Sequence, residues 1–375
     1  MRLLFFNSIG RSVWGGGEKW MLAAGTGLRA RGHEIAYAGR PGGQFLARAV
    51  EAGFTTLPLA VRGDFDPRVA WQLGRHLRRT RTEVIVANFN KDVRLSALAR
   101  GPGRQPKIIA RNGLPIVPDR RRYRWLYRRQ VACIVTNTAA IRERYLGYGW
   151  MPPEFVRVVH NGIDAGRLRA TLAPTPETLP EPPAAVAARK AAIGLAPDAP
   201  VVTLCGRLVG QKRPDHFLAA AQRMAPHYPE LQLLIVGEGP LEAEIRERAA
   251  RNGLGARLHL PGFQRDCARF LAASDVVLLP SQDEGLPNVA MEAMALGRPV
   301  VGYDVGGVAE LLAPPEAGRV VAYGDVAGLA RQALAQLDQP ETAHALGARA
   351  AERIAREFSL ETMVRRFEAV LEEVC

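Results

Sequence analysis

The chain lacks the marks of secreted, membrane-spanning and metal-dependent proteins. Its 4 cysteines, Cys133, Cys205, Cys267 and Cys375, lie far apart with no Cys-x-x-Cys pair, so neither a disulfide framework nor a thiolate metal site is indicated. No run approaches the roughly 18 consecutive apolar residues of a membrane-spanning helix. The first residues lack the basic stretch followed by an apolar one that opens a secretory leader. Reduced thiols in a cytoplasmic protein are the expectation. His33, His76, His160, His216, His227, His259 and His344 are scattered without metal-ligand spacing, which leaves a zinc site without support. No Gly-x-Ser-x-Gly elbow occurs, and no glycine run leads into the Gly-Lys-Ser/Thr of a P-loop.

What is present is enough apolar material for two packed domains. The chain has 375 residues, 47% apolar and 23% charged, at a usual 100–200 residues per domain. The formal charge of +13 is unevenly spread: residues 1–165 carry 28 Lys and Arg against 11 Asp and Glu, whereas residues 166–375 carry 22 against 26. A basic first half suits nucleic acid, anionic lipid headgroups or a phosphorylated substrate, each of which supplies a negative field.

Short apolar runs alternate with longer segments of helical period, the pattern of strands and crossover helices in α/β domains. The first half supplies strands at Leu3–Phe6, Glu34–Ala38, Val84–Ala87, Lys107–Ala110, Cys133–Val135 and Val156–Val159. The second supplies Val201–Cys205, Leu231–Val236, Arg257–Leu260, Val276–Leu279 and Pro299–Gly302. Between them, residues 165–200 contain Pro174, Pro176, Pro180, Pro182, Pro183, Pro197 and Pro200, too many for a regular element, so a linker or excursion is expected. Each half is long enough for a doubly wound sheet, whose ligands bind beyond the carboxyl ends of the strands.

Three loops at such strand ends carry chemistry. The segment from Ser281 to Gly297 follows an apolar strand and holds Glu284, Gly285, Leu286, Pro287 and Asn288 before a helix bearing Glu292. The free N–H groups and macrodipole of a helix N-terminus suit an anion, and two carboxylates can accept hydroxyl groups of a polar ligand. The segment Gly206–Pro214 brings Arg207 and Lys212 into one loop, a guanidinium fork and a point charge for phosphate. Trp14, Gly15, Gly16, Gly17 and Glu18 form a third turn, between the first strand and a helix, where glycines allow a phosphate to approach the backbone.

Taken in order, these segments resemble the family 4 retaining glycosyltransferases. The likeness covers nearly the whole chain: Gly15-Gly16-Gly17-Glu18, Arg31-Gly32-His33-Glu34, His160-Asn161-Gly162-Ile163-Asp164, Gly206-Arg207 with Lys212, Gly237-Glu238-Gly239-Pro240, Pro261-Gly262-Phe263, Glu284 to Glu292, and Gly306-Gly307. It implies the α/β GT-B fold, two Rossmann-like doubly wound parallel-sheet domains facing a central cleft. The expected division is an N-terminal acceptor-side domain over 1–165, the Pro-rich stretch over 166–200, a nucleotide-sugar domain over 201–355, and a C-terminal helix over 356–375 packing back on the first domain.

By the same likeness, Glu284 and Glu292 are the family's Glu-x7-Glu pair, the first reaching the donor sugar and the second the ribose. Arg207 and Lys212 neutralise the diphosphate. Gly285, Leu286, Pro287 and Asn288 cradle sugar and phosphate, Gly15 and Gly16 meet the diphosphate, and Gly237 and Phe263 complete the donor contacts. The family implies no metal and no cofactor beyond the nucleotide-sugar substrate. Many members carry a histidine after the fourth N-domain strand, where this chain reads Ile109-Ala110-Arg111-Asn112-Gly113; Asn112 can bond a sugar hydroxyl there but cannot shuttle a proton.

The implied partners are a nucleotide-sugar donor and a glycan or lipid-linked acceptor of the cell envelope. The segment Asp119–Arg129, six arginines among three aromatics, is expected to rest on the anionic inner face of the cytoplasmic membrane. A non-hydrolysing nucleotide-sugar 2-epimerase shares a similar two-domain fold but is disfavoured by the Glu-x7-Glu loop. A nucleic-acid binder lacks a recognisable module.

Overall fold

The computed structural model describes residues 1–12, 14–101 and 105–375. The chain divides into two units, Met1–Gly162 with Leu360–Cys375, and Ile163–Ser359.

The first unit contains β1 (Arg2–Asn7), α1 (Gly16–Ala30), β2 (Glu34–Gly39), α2 (Gln44–Glu51), β3 (Thr55–Pro58), α3 (Pro67–Thr80), β4 (Val84–Ala87), α4 (Asn90–Ala99), β5 (Lys107–Asn112), α5 (Arg121–Gln130), β6 (Cys133–Thr136), α6 (Ala139–Leu146) and β7 (Val156–Val158). The strands form one parallel sheet in the order β3-β2-β1-β4-β5-β6-β7. Its central strands are buried along nearly their whole length because helices cover both faces, so they read as unbroken apolar runs rather than alternating ones. Leu4, Phe6 and Ile85 face a core shared with α3, α5 and α6, while Leu3, Phe5 and Val86 face one shared with α1 and α2.

The second unit opens with α7 (Ala165–Ala170) and α8 (Pro183–Ala192), and continues through β8 (Val201–Cys205), α9 (Pro214–Met224), β9 (Gln232–Val236), α10 (Glu242–Arg251), β10 (Leu258–Gly262), α11 (Ala268–Ala272), β11 (Val276–Leu279), α12 (Asn288–Ala295), β12 (Val300–Tyr303), α13 (Val308–Leu312), β13 (Arg319–Val321), α14 (Val326–Asp338) and α15 (Pro340–Glu357). Its strands are also parallel, in the order β10-β9-β8-β11-β12-β13.

Residues 166–200 differ from the irregular stretch that their prolines suggest. Pro183 takes the first position of α8, where the missing N–H would go unpaired in any case, and the alanines behind it favour the helix. The segment is tied into the second unit by charge. Arg189 grips Glu181 with two bonds of 2.6 and 2.7 Å, Arg298 approaches the same carboxylate at 3.4 Å, and Lys190 pairs with Asp275 at 2.7 Å.

The last helix, α16 (Leu360–Val374), lies in the first unit. Its Phe367 meets Trp20 edge-on with ring centroids 5.0 Å apart. On its polar side Glu368 takes Arg31 at 2.7 Å and His33 at 2.9 Å.

In each sheet the order reverses beside the first strand, between β1 and β4 in one and between β8 and β11 in the other. Loops leaving neighbouring strands at such a point run to opposite faces, which opens a crevice at the carboxyl ends.

Candidate active site

The crevice of the second unit is built from the loops after β8 and β11. After β8 the chain turns through Gly206 and Arg207 into a single 3-10 turn, Gly210–Lys212. After β11 it runs through Ser281 and Glu284 into α12, entered at Pro287. Two hydrogen bonds stitch the loops together: Gln282 N donates to the Gln211 carbonyl at 2.8 Å, and Gln211 Nε2 donates to the Asp283 carbonyl at 2.8 Å. At the centre Lys212 Nζ lies 2.5 Å from Glu284 Oε1, which also accepts from Ser281 Oγ at 2.7 Å. Glu284 is buried and Lys212 half-buried. A carboxylate held by an ammonium and a hydroxyl is fixed in orientation, and its remaining lone pairs can accept hydroxyl groups of a ligand.

Two glycines let neighbouring loops close on this centre. At Gly306, after β12, φ is +51° and an added Cβ would lie 1.7 Å from the Glu284 carbonyl oxygen. Its neighbour Gly307 donates to the Gly285 carbonyl at 3.0 Å, so the loop after β12 braces the Glu284 segment from behind. At Gly237, after β9, φ is +144° and a Cβ would lie 1.9 Å from the Gly206 carbonyl oxygen.

The other expected donor residues are distributed around this centre. Arg207 is exposed, and among the described residues no carboxylate pairs with it. Gly285, Pro287 and Asn288 form the entrance to α12, while the Leu286 side chain drops into the core. Glu292 is half-buried in the second turn of that helix. Phe263, just past β10, is 64% exposed, an unusual position for a phenyl ring that leaves its face free to stack.

In the first unit, Gly15 caps α1 and Glu18 turns inward. Its carboxylate accepts Gly15 N at 2.9 Å and Asn7 Nδ2 at 2.8 Å, which secures the glycine turn by reaching back from the first helical turn to the cap N–H rather than presenting an acid to ligand. Asn112 and Arg111, consecutive in β5, point to opposite faces of the sheet. Asn112 is buried, with Oδ1 accepting from Tyr145 Oη at 3.1 Å and Nδ2 without a partner.

Arg111 stands on the glycine side instead. Its guanidinium lies 4.9 Å from the Trp20 ring centroid, donates to Asn161 Oδ1 at 3.3 Å, and would be 3.3 Å from a Cβ at Gly17. Burial pulls Arg111 down to about 10, against a smaller opposing pull from Glu18. It is a functional candidate that sequence reading passed over, although an arginine ending an otherwise apolar strand is itself a signal.

Among the described residues, no group of three or more His, Cys, Asp and Glu side chains is placed to hold a metal ion. Nor, among the described residues, is any helix long and apolar enough to cross a membrane.

Two family models match successive parts of the chain: Glycosyltransferase Family 4 over residues 14–167 and Glycosyl transferases group 1 over residues 187–353. The chain belongs to the family 4 glycosyltransferases. Among its relatives is the lipopolysaccharide core biosynthesis glycosyltransferase LpsE of Rhizobium meliloti, 32% identical over 241 residues, which are 64% of this chain and 62% of LpsE. Another is the 2-deoxystreptamine glucosyltransferase of Streptomyces kanamyceticus, 31% identical over 222 residues, 58% of this chain and 54% of that one. The matches thus span little more than half of these relatives' lengths. Anabaena HepE, solved in complex with UDP, superposes with a TM-score of 0.86 over 100% of both chains at 20% identity. The fold is GT-B, with two Rossmann-like parallel-sheet units.

Proposed function

We propose that this family 4 glycosyltransferase moves a sugar from a nucleoside-diphosphate sugar to a hydroxyl of a cell-envelope glycan or lipid-linked acceptor, with retention and without a metal. The observation that carries the reading is the Lys212–Glu284 pair at the switch point of the second unit, in the same two loops as the exposed Arg207 and the start of α12. When a donor enters, Lys212 and Arg207 take the diphosphate, the Glu284 carboxylate accepts hydroxyls of the sugar, and Glu292 accepts those of the ribose. HepE, which binds UDP, and LpsE, a lipopolysaccharide core enzyme, support the donor and acceptor classes.

The reaction breaks the bond from the anomeric carbon to the diphosphate oxygen, whose electron pair leaves with the nucleoside diphosphate. The acceptor oxygen bonds to the same face of that carbon and its proton passes to the departing phosphate. Fixed cations stabilise the charge that grows on the leaving oxygen, the term on which such catalysis chiefly rests.

Arg207→Ala and Lys212→Ala are each expected to cost about 1.5–3 kcal/mol of transition-state stabilisation, on the order of ten- to over a hundredfold in rate. Glu292→Ala weakens nucleotide binding, whereas Glu284→Ala chiefly lowers turnover. Steady-state kinetics with and without chelator test the reading. An absolute requirement for Mg²⁺ or Mn²⁺ would show that a metal carries the phosphate charge.

The first unit supplies the acceptor side and the membrane contact. Of the three aromatics in the Arg-rich segment, Tyr123 and Tyr127 pack into the core, with Tyr127 Oη donating to Asn90 at 2.6 Å. The membrane contact therefore narrows to Trp125, 57% exposed, and the six exposed arginines, Arg120, Arg121, Arg122, Arg124, Arg128 and Arg129. Each basic side chain near an anionic surface contributes roughly 1 kcal/mol. Sedimentation with phosphatidylglycerol vesicles should show salt-sensitive binding that falls when Arg120, Arg121, Arg122 and Arg124 become Ser; no binding at low salt, or no change in the variant, refutes it.

A further inference from the structure

The first unit has its own cavity at the point where its strand order reverses. A space of about 450 Å³ opens beyond the carboxyl ends of β1, β2 and β4, a volume suited to a small ligand. Its wall carries Arg40, Lys91 and Arg94 and no carboxylate. The three cations come from two elements, Arg40 from the end of β2 and the other two from α4.

Their commitments differ. Arg94 is paired with Asp64 and has a nitrogen 3.5 Å from Tyr123 Oη, so its charge is partly spent. Arg40 uses only Nε, which donates to the Ser8 carbonyl at 2.9 Å and holds the guanidinium at the cavity wall. Among the described residues, no carboxylate lies within ion-pair distance of Arg40 or Lys91. The acid nearest in the chain, Asp92, is completely buried and occupied: its carboxylate accepts Ser8 N at 3.2 Å and Phe89 N at 3.1 Å. It fixes the floor without entering the cavity lining. Asn90 is likewise committed, to the Ile116 carbonyl and to Tyr127 Oη, so that wall is preorganised.

Arg40 and Lys91, with no ion-pair partner among the described residues, sit in a concave, partly apolar recess that suits one small anion with an adjoining ring. Ile9, Phe89 and Ile116 supply the apolar surface against which the carbon face of a sugar packs. A nucleic-acid duplex or a sheet of headgroups would need a convex or extended basic surface, which this recess is not.

We infer that the cavity binds a sugar bearing a phosphate or carboxylate, with Arg40 and Lys91 on the negative group. That this sugar is the acceptor of the transfer rests on the function proposed above; the binding itself does not. The inference gives the first unit an electrostatic selection between charged and neutral sugars of the same shape, because a charge-assisted bond is roughly twice as strong as a neutral one.

Titration calorimetry of the full chain with glucose, glucose 6-phosphate, glucuronate and inorganic phosphate tests it. At least one charged sugar should bind about tenfold or more tightly than both glucose and inorganic phosphate, and excess UDP should not displace it. Arg40→Ser with Lys91→Ser, and Lys91→Ser alone, should reduce that preference while leaving melting temperature and UDP affinity unchanged. Equal binding of glucose and both charged sugars overturns the inference, as does a preference retained in the double variant. Inorganic phosphate binding as tightly as the sugar phosphate would show a bare anion site, and displacement by UDP would assign the anion to the nucleotide; either overturns it. A nucleotide-sugar titration in parallel reports on the donor site and not on Arg40 and Lys91, so failure there refutes the transferase reading without touching this one.

Discussion

Gly306→Ala should disable the Glu284 loop from outside the site. The added Cβ would lie 1.7 Å from the Glu284 carbonyl oxygen and 2.8 Å from its carbon, both backbone atoms that cannot swing aside as a side chain would. The two loops must part by about 1.5 Å to regain ordinary van der Waals separation. The left-handed φ of +51° adds about 1–2 kcal/mol for any residue with a Cβ, and forced repacking about 1–3 kcal/mol. The second unit should therefore lose roughly 2–5 kcal/mol, a fall of roughly 4–20 °C in its melting temperature. A displacement of about 1 Å in a positioning loop costs on the order of a hundredfold in rate. Gly324→Ala is the control, because it shares a positive φ of +85° but its Cβ would meet nothing within 4 Å. Calorimetry and nucleotide-sugar turnover on both variants decide the matter. If Gly306→Ala matches Gly324→Ala in melting temperature and turnover, the loop after β12 does not brace Glu284.

Other outcomes follow from buried charge. Lys212→Met and Glu284→Gln should each destabilise the second unit by about 1–3 kcal/mol, between the ranges for exposed and buried pairs, and the double variant by less than their sum; strict additivity in denaturant titrations would contradict the coupling. Glu181→Ala leaves the buried Arg189 and Arg298 without their shared carboxylate and should cost about 3–5 kcal/mol, so a loss below about 1 kcal/mol would contradict that role. Burial raises Asp92 from 3.8 to about 7. The unfolded chain thus releases this proton first, and Asp92 removes stability as pH rises from about 4 to 7, on the order of 4 kcal/mol at most. The stability difference between wild type and Asp92→Asn should decline across that window; a flat difference would contradict the shift.

The sequence reveals buried strands better than edge strands, for a physical reason. β1, β4, β8 and β11 are covered on both faces and appear as continuous apolar runs. β3, with the sequence Thr-Thr-Leu-Pro, and β13, Arg-Val-Val, lie at sheet edges with half-exposed residues, and neither carries a pattern that separates it from a loop. The Glu284 loop and Arg207–Lys212 loop were legible because each is a continuous stretch at the end of a recognisable strand. Their contact was not, since 72 residues separate Lys212 from Glu284 and only the adjacency of β8 and β11 joins them. Arg40, Lys91 and Arg94 were invisible for the same reason, being isolated cations until the sheet order assembles them. Glu18 shows the reverse: its spacing from Gly15 marked a ligand turn and a helix cap equally, and its side chain serves the cap.

The most direct test of the account is equilibrium binding of a panel of nucleoside-diphosphate sugars to the wild-type chain and to the Arg207→Ala and Glu292→Ala variants, read by calorimetry. The account predicts saturable binding of at least one nucleotide sugar that raises the melting temperature by mass action and weakens about tenfold or more in each variant. No binding of any nucleotide sugar at millimolar concentration, or equal binding by all three proteins, would contradict it.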